Sequence, residues 1–254
     1  MSSWRHKQTL ANRYQFRPPI SLEFTTTACN RPELLMITYR SFHKHLKGVD
    51  FAKSILYLNI DPMPVSEGME MVEKVAKQFF GRVFTRYSDK GSASVANAWA
   101  LRQPRGEFFF NLEDDWELRR DVNIFEMISL LQRRRGLIQC YLLGSMIEEG
   151  RPTLMPSLMR TAVLRPMLEL LNVESNYEQQ MIAVYNKIGK KPLSVQYGYG
   201  LGKFVHDIGR VWFNMKGLRR NDQHEWITPQ AQTLSSQDLQ KLSRSAHDED
   251  KGGL

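Results

Sequence analysis

Cysteine is scarce in this sequence: only Cys29 and Cys140 occur among 254 residues. With no CxxC pair and no Cys/His cluster, a disulfide framework and a thiolate zinc site are excluded, and a reducing compartment is expected. No apolar run reaches the roughly 18 residues that a membrane-spanning helix needs. The opening stretch MSSWRHKQTLANRYQF lacks the continuous apolar core of a secretory leader, so no membrane span and a soluble, cytoplasmic protein are expected. Acidic side chains are absent from residues 1–18, which read as a basic arm ending at Pro18-Pro19. Internal repeats are absent too. Polar, Ser/Gln-rich composition is confined to residues 228–254, which read as a loosely held or disordered tail.

What is present suits a globular enzyme-sized domain over residues 19–227. Hydrophobic residues make up 42%, charged residues 24% and aromatics 11%, enough for a core and for a stacking site. Lys and Arg total 35 against 27 Asp and Glu, a net charge of +8. Such an excess suits a polyanion partner, and equally a basic enzyme with a small anionic substrate.

The hydrophobic pattern alternates between strands and helices. Ile20–Thr26 reads as a strand ending in a polar loop, and Pro32-Glu33 opens a helix with apolar residues at helical spacing. Ser54–Ile60 is a second strand closed by Asp61-Pro62. A helix over Glu67–Phe80, a strand over Gly81–Arg86 and a small-residue helix over Ser92–Leu101 follow. The apolar strand Phe108–Leu112 then runs straight into Glu113-Asp114-Asp115-Trp116. Beyond it, helices are expected over Val122–Arg134, Arg160–Asn172 and Glu178–Ile188, and strands over Gly136–Gly144 and Pro192–Tyr197. A glycine-rich loop, Gly198–Gly202, comes next. This order predicts an α/β fold with a mostly parallel central sheet flanked by helices. Ligands bind at the carboxyl ends of the strands in such sheets, where Thr25–Arg31, Asp61 and Glu113–Asp115 all fall.

Three consecutive carboxylates after a buried strand repel one another unless a cation compensates them. Mg²⁺ or Mn²⁺ is one solution, and a solvated acidic turn with Asp114 capping a helix is the other. Asp61 is placed either to accept a hydrogen bond from a base or ribose, or to cap the turn at Pro62. Asn30 and Arg31 can contact a diphosphate, or Arg31 can pair with Glu33 or Asp61.

Four segments carry a resemblance: TTTACNRPELL (Thr25–Leu35), LYLNIDP (Leu56–Pro62), GSASVANAWAL (Gly91–Leu101) and FFFNLEDDWEL (Phe108–Leu118). In order and spacing they resemble the nucleotide-binding half of family 2-like glycosyltransferases of the GT-A fold, ending in a DxD-type metal motif. The resemblance implies a nucleotide-sugar half over about residues 20–118 and an acceptor half over about 119–227. It implies that Asp115 binds Mn²⁺ or Mg²⁺, and that Thr26, Asn30, Arg31, Asp61, Asn97, Glu113 and Asp114 contact a UDP-sugar. Glu113 stands where that family usually has Asp. NYEQQMIAVYNKIG (Asn176–Gly189) resembles the helix carrying the catalytic base, which points to Glu178, with Glu174 as fallback. His206, after the glycine-rich loop, matches a late metal-ligating histidine; a structural histidine is the other reading.

EDDW and VHDIGRVW (Val205–Trp212) further resemble the base J-type and phage DNA glucosyltransferases. That implies transfer of glucose from UDP-glucose to a hydroxymethylpyrimidine in DNA, in the host cytoplasm if phage-encoded. Trp116, Tyr199, Lys203, Arg210, Arg219 and Arg220 are then the expected acceptor or DNA contacts. Arg119-Arg120, Arg133–Arg135, Lys190-Lys191 and Lys216 are further phosphate candidates, and Trp99, Tyr197 and Trp212 further stacking candidates. Two alternatives stay open. One is a polysaccharide, lipid-linked or protein acceptor; the other is a non-catalytic nucleotide- or DNA-binding protein on a transferase scaffold.

Overall fold

The structure, a computed structural model, describes residues 17–63, 68–142, 150–172, 175–187, 193–216, 219–220 and 226–227. Most of the basic arm, the fallback Glu174, Lys190-Lys191 and the tail from residue 228 lie outside the described residues, as do the side chains of Lys216, Arg219 and Arg220.

The strands are β1 (Glu23–Cys29), β2 (Leu46–Lys47), β3 (Ile55–Asp61), β4 (Arg82–Tyr87), β5 (Phe108–Glu113), β6 (Trp116–Leu118) and β7 (Val122–Asn123). They continue as β8 (Gln139–Tyr141), β9 (Ser157–Arg160), β10 (Ser194–Gln196), β11 (Val205–Asp207), β12 (Arg219–Arg220) and β13 (Trp226–Ile227). The helices are α1 (Pro32–His45), α2 (Met69–Ala76), α3 (Ala93–Arg102), α4 (Ile124–Arg133), α5 (Thr161–Glu169), α6 (Tyr177–Lys187) and α7 (Gly209–Lys216).

Seven strands form the central sheet in the order β10-β8-β9-β5-β1-β3-β4. All neighbours run parallel except β9, which is antiparallel to both β5 and β8. The chain starts in the middle at β1, winds outward through β3 to β4, then returns to the other side of β1 with β5. That reversal opens a crevice at the carboxyl ends of β1 and β5, where ligands bind in open α/β sheets. Register places Glu113 opposite Thr27 there.

Aromatic packing ties the sheet to the segments that cover it, with the Phe42 ring of α1 centred 5.8 Å from that of Phe110 in β5. Phe24 sits at the centre, with ring centroids 5.0 Å from Phe80, 5.3 Å from Phe51 and 5.7 Å from Phe110. Each such buried side chain contributes about 1.5–3 kcal/mol. Pro32 occupies the first turn of α1, where its missing N–H costs nothing. Ser92 and Asn123 cap α3 and α4 through side-chain acceptors.

The expected elements recur with shifted ends, and one shift matters. β1 runs three residues further than Ile20–Thr26, because its pairing with β3 continues to Cys29 opposite Asp61. Ile20 makes only an isolated bridge to Val49. The pattern missed β9, whose four residues are all buried and show no alternation. It also missed the ribbon of β6 and β11 and the helix α7. Among the described residues, both cysteines are free and no helix is long and apolar enough to cross a membrane.

Candidate active site

The three carboxylates after β5 have three different environments. Asp114 is 3% exposed and turned inward. It accepts hydrogen bonds from Arg31 Nη2 at 2.5 Å, Arg31 Nε at 3.1 Å and the Cys29 backbone N–H at 3.0 Å. Its backbone carbonyl accepts from Thr38 Oγ1 at 2.8 Å. Asp114, expected as a donor contact, ties β1 and α1 to the end of β5.

Arg31 shares this environment. The side chain is buried, also reaches Asp115 Oδ2 at 3.1 Å, and its guanidinium carbon lies 5.5 Å from the Trp212 ring and 5.0 Å from the Phe213 ring. Desolvation opposes its charge, but the Asp114 and Asp115 carboxylates outweigh that and hold the guanidinium protonated. Neither Glu33 nor Asp61 is its partner: Glu33 accepts from Trp212 Nε1 at 2.9 Å.

Glu113 and Asp115 are only partly buried. Burial, aggravated by repulsion from Asp115, pushes the Glu113 carboxyl up to about 8, although Trp116 Nε1 donates to it at 3.0 Å. Burial likewise pushes Asp115 up to about 7, against the pull of Arg31 and with added repulsion from Asp114 and Asp207. Negative charge here is under-compensated.

Glu113 faces a cleft of about 370 Å³ shared with Trp116, Asn97, Thr153, Glu178 and Asp207. Glu178, at the start of α6, accepts from Thr153 Oγ1 at 3.0 Å and the Leu154 N–H at 3.4 Å, both through Oε1. Asn97 donates to the Ala93 carbonyl at 2.8 Å, while its buried Oδ1 has no hydrogen-bond partner among the described residues. A buried acceptor in a cleft wall is met by a water or by a donor on a ligand. Asp61 is 8% exposed; it accepts from Asn59 Nδ2 at 2.8 Å and from the Ser92 N–H at 2.9 Å, fastening β3 to the start of α3.

Other expected residues fall elsewhere. Thr26 is fully buried inside β1. Asn30 is buried, with Nδ2 3.5 Å from the Met63 carbonyl. His206 pairs with Glu117 and Asp207 with Trp116 in the antiparallel β6–β11 ribbon. Side chains alternate along a strand, so Trp116 and Asp207 line the cleft while His206 lines a separate cavity with Arg119, Arg120 and Lys203. The structure thus brings Asp207, not His206, towards the carboxylates. Tyr199 is 74% exposed on the glycine-rich loop, and Arg210 is exposed on α7. Tyr197 and Trp212 are core residues, the former donating to Glu126 at 2.6 Å. Arg133–Arg135 precede β8, which runs in the same direction as β5, so they sit at the opposite end of the sheet from Glu113.

The pattern also missed Gly209. A Cβ there would lie 2.2 Å from Asp115 Oδ2, so only glycine lets α7 begin against that carboxylate. Asp207 Oδ1 accepts the Arg210 N–H at 3.1 Å, as a cap at the start of α7. Asp207-Ile208-Gly209 was the available signal, since Asp just before Gly marks a turn or helix start.

The sequence matches no family model and no curated protein. Among solved structures, TarS 1–349 of S. aureus superposes with a TM-score of 0.55 at 12% identity, over 78% of this chain and 63% of that one. The same TarS segment in complex with UDP gives 0.55 at 10% identity, over 92% and 66%. The mannosyltransferase PcManGT from Pyrobaculum calidifontis, in complex with GDP-Man and Mn²⁺, gives 0.52 at 10%, over 76% and 60%. The fold is GT-A. At these identities the likeness concerns the fold alone, and this chain spans under two thirds of the length of each.

Among the described residues no three of His, Cys, Asp and Glu form a metal-holding group. Mg²⁺-type ions, however, bind through one or two carboxylates with substrate phosphates completing the shell. Asp115, under-compensated and beside the α7 start, fits that mode, and Asp207 is a further carboxylate close enough to repel it.

Proposed function

We propose that this protein is an inverting, metal-dependent glycosyltransferase that moves glucose from UDP-glucose to the hydroxymethyl group of a modified pyrimidine in DNA. The observation that carries the transferase reading is the shared cleft, in which a candidate base, Glu178, faces Glu113 and Asp207 at the carboxyl ends of the strands.

Glu178 takes the proton from the acceptor hydroxyl as that oxygen bonds to the anomeric carbon. The anomeric bond to the diphosphate breaks, and its electron pair leaves with UDP. Thr153 and the Leu154 N–H fix one carboxylate oxygen, which orients the other for this task. Asp115 is the residue that would hold Mn²⁺ or Mg²⁺, whose chemistry is to neutralise charge on the departing diphosphate. Asn97 Oδ1 and Asp61 are the donor contacts. Trp116 gives the cleft an aromatic wall against which an extruded base can stack. Net charge and the exposed cations near β6 and β11 support a polyanionic acceptor.

The test is incorporation of radiolabelled glucose from UDP-glucose into hydroxymethylcytosine DNA and unmodified DNA, with Mn²⁺ or with EDTA. Label entering only hydroxymethylated DNA, and only with metal, is the expected result. Metal-dependent UDP release with other acceptors would keep the transferase and remove the DNA substrate. Absence of any UDP release would leave a binding protein on this scaffold.

A further inference from the structure

Helix α1 buries Leu34, Leu35, Thr38, Tyr39 and Phe42, and positions 37, 40, 41, 44 and 45 form the stripe beside that apolar face. Here the stripe contains Arg40, Lys44 and His45, and it lines a cavity of about 470 Å³ against β6. Among the described residues, neither Arg40 nor Lys44 has a carboxylate within ion-pairing distance, and both are exposed. The nearby acids are already engaged: Glu117 with Arg119 at 3.1 Å, and Asp121 with His45 at 2.8 Å and Lys47 at 3.6 Å.

A second cavity of about 400 Å³ adjoins it, lined by Arg120, Lys203 and His206, and Arg119 lines both. The Arg120 guanidinium is fixed by a hydrogen bond to the Leu201 carbonyl and by the Phe204 ring, 5.3 Å from its centre. The two cavities lie on the Glu117/His206 side of the β6–β11 ribbon, and the cleft lies on the Trp116/Asp207 side.

We propose that these cavities form one groove that binds the phosphate backbone of duplex DNA across the β6–β11 ribbon from the cleft, with Arg40 and Lys44 as phosphate contacts. The proposal rests on the DNA-acceptor reading and adds the surface that holds the flanking duplex. Spaced cations with little competing acid suit a regular line of phosphates, whereas a lone small anion would need convergent donors in one pocket.

The experiment measures binding of a short fluorescein-labelled hydroxymethylcytosine duplex by anisotropy, across a salt series. It compares the full chain with Arg40→Ala/Lys44→Ala, with thermal unfolding and donor-dependent UDP release as fold controls. The double variant is expected to keep both controls and to show a log K against log[salt] slope shallower by about 1.8, one phosphate contact per side chain. An unchanged slope overturns the groove and leaves the DNA acceptor standing. A wild-type chain that does not bind duplex even at low salt overturns both. Polyglutamate of equal charge competing as well as unlabelled duplex overturns the assignment to DNA.

Discussion

Replacing Arg31 by Met leaves Asp114 as an unpaired charge in a site 3% exposed. The wild-type guanidinium makes three hydrogen bonds to two carboxylates and sits against two aromatic rings. Removing one partner of a buried pair costs about 3–5 kcal/mol, because the remaining charge stays desolvated. Loss of the cation–π contacts adds about 1–2 kcal/mol. Against a typical total of about 5–15 kcal/mol, that is a large share of the stability. An exposed pair such as Lys53–Asp50, in contact at 3.0 Å, is worth about 1 kcal/mol or less and serves as control. Urea unfolding of Arg31→Met, Asp114→Asn and the double variant should give a coupling of about 2–3 kcal/mol, the double being less damaged than the sum of the singles. If Arg31→Met costs under about 1 kcal/mol, or the singles add within about 0.5 kcal/mol, the pair is not the structural tie described above. A large loss of donor affinity with little loss of stability would return Arg31 to the donor site.

Other outcomes follow from the same geometry. Glu113 and Asp115 have carboxyls raised to about 8 and about 7, so the folded state favours their protonated forms. Their contribution is full at low pH and is lost as pH rises from about 4 to about 8, so metal-free protein should melt progressively lower across that window. Asp115→Asn should flatten this dependence; a metal-free melting temperature that rises with pH would refute it. Glu178→Gln should lower kcat by about 10²–10⁴-fold with donor Kd unchanged, measured by steady-state kinetics and calorimetry. Gly209→Ala should cost about 1–3 kcal/mol by forcing α7 off Asp115, and should weaken Mn²⁺ binding followed by electron paramagnetic resonance. Asp207→Asn should also weaken Mn²⁺ binding, whereas His206→Gln should not; the reverse order would restore His206 to the site.

Strand and helix identity in the first half of the chain was legible because long elements carry their period in the residues themselves. The apolar run before Glu113 marked a buried strand, and its position marked the ligand edge of the sheet. The resemblance pointed to Glu178, which lines the same cleft as Glu113. The division of labour within Glu113-Asp114-Asp115 was not legible. Three adjacent carboxylates look alike in sequence, and Asp114 is singled out by an arginine 83 positions away on the neighbouring strand's loop.

His206 and Asp207 show the same limit at single-residue scale. One step along a strand reverses the face that a side chain presents, and β6 and β11 have only three residues each, too few to reveal a period. Tyr197 and Trp212 read equally well as stacking platforms or as core, and burial made them core. By itself the sequence determined the α/β alternation, the net positive charge and the acidic edge, because composition and periodicity are local. Which carboxylate is structural, which faces the cleft and which basic residues share a groove were decided by strand pairing and register, since those contacts join residues far apart in the chain.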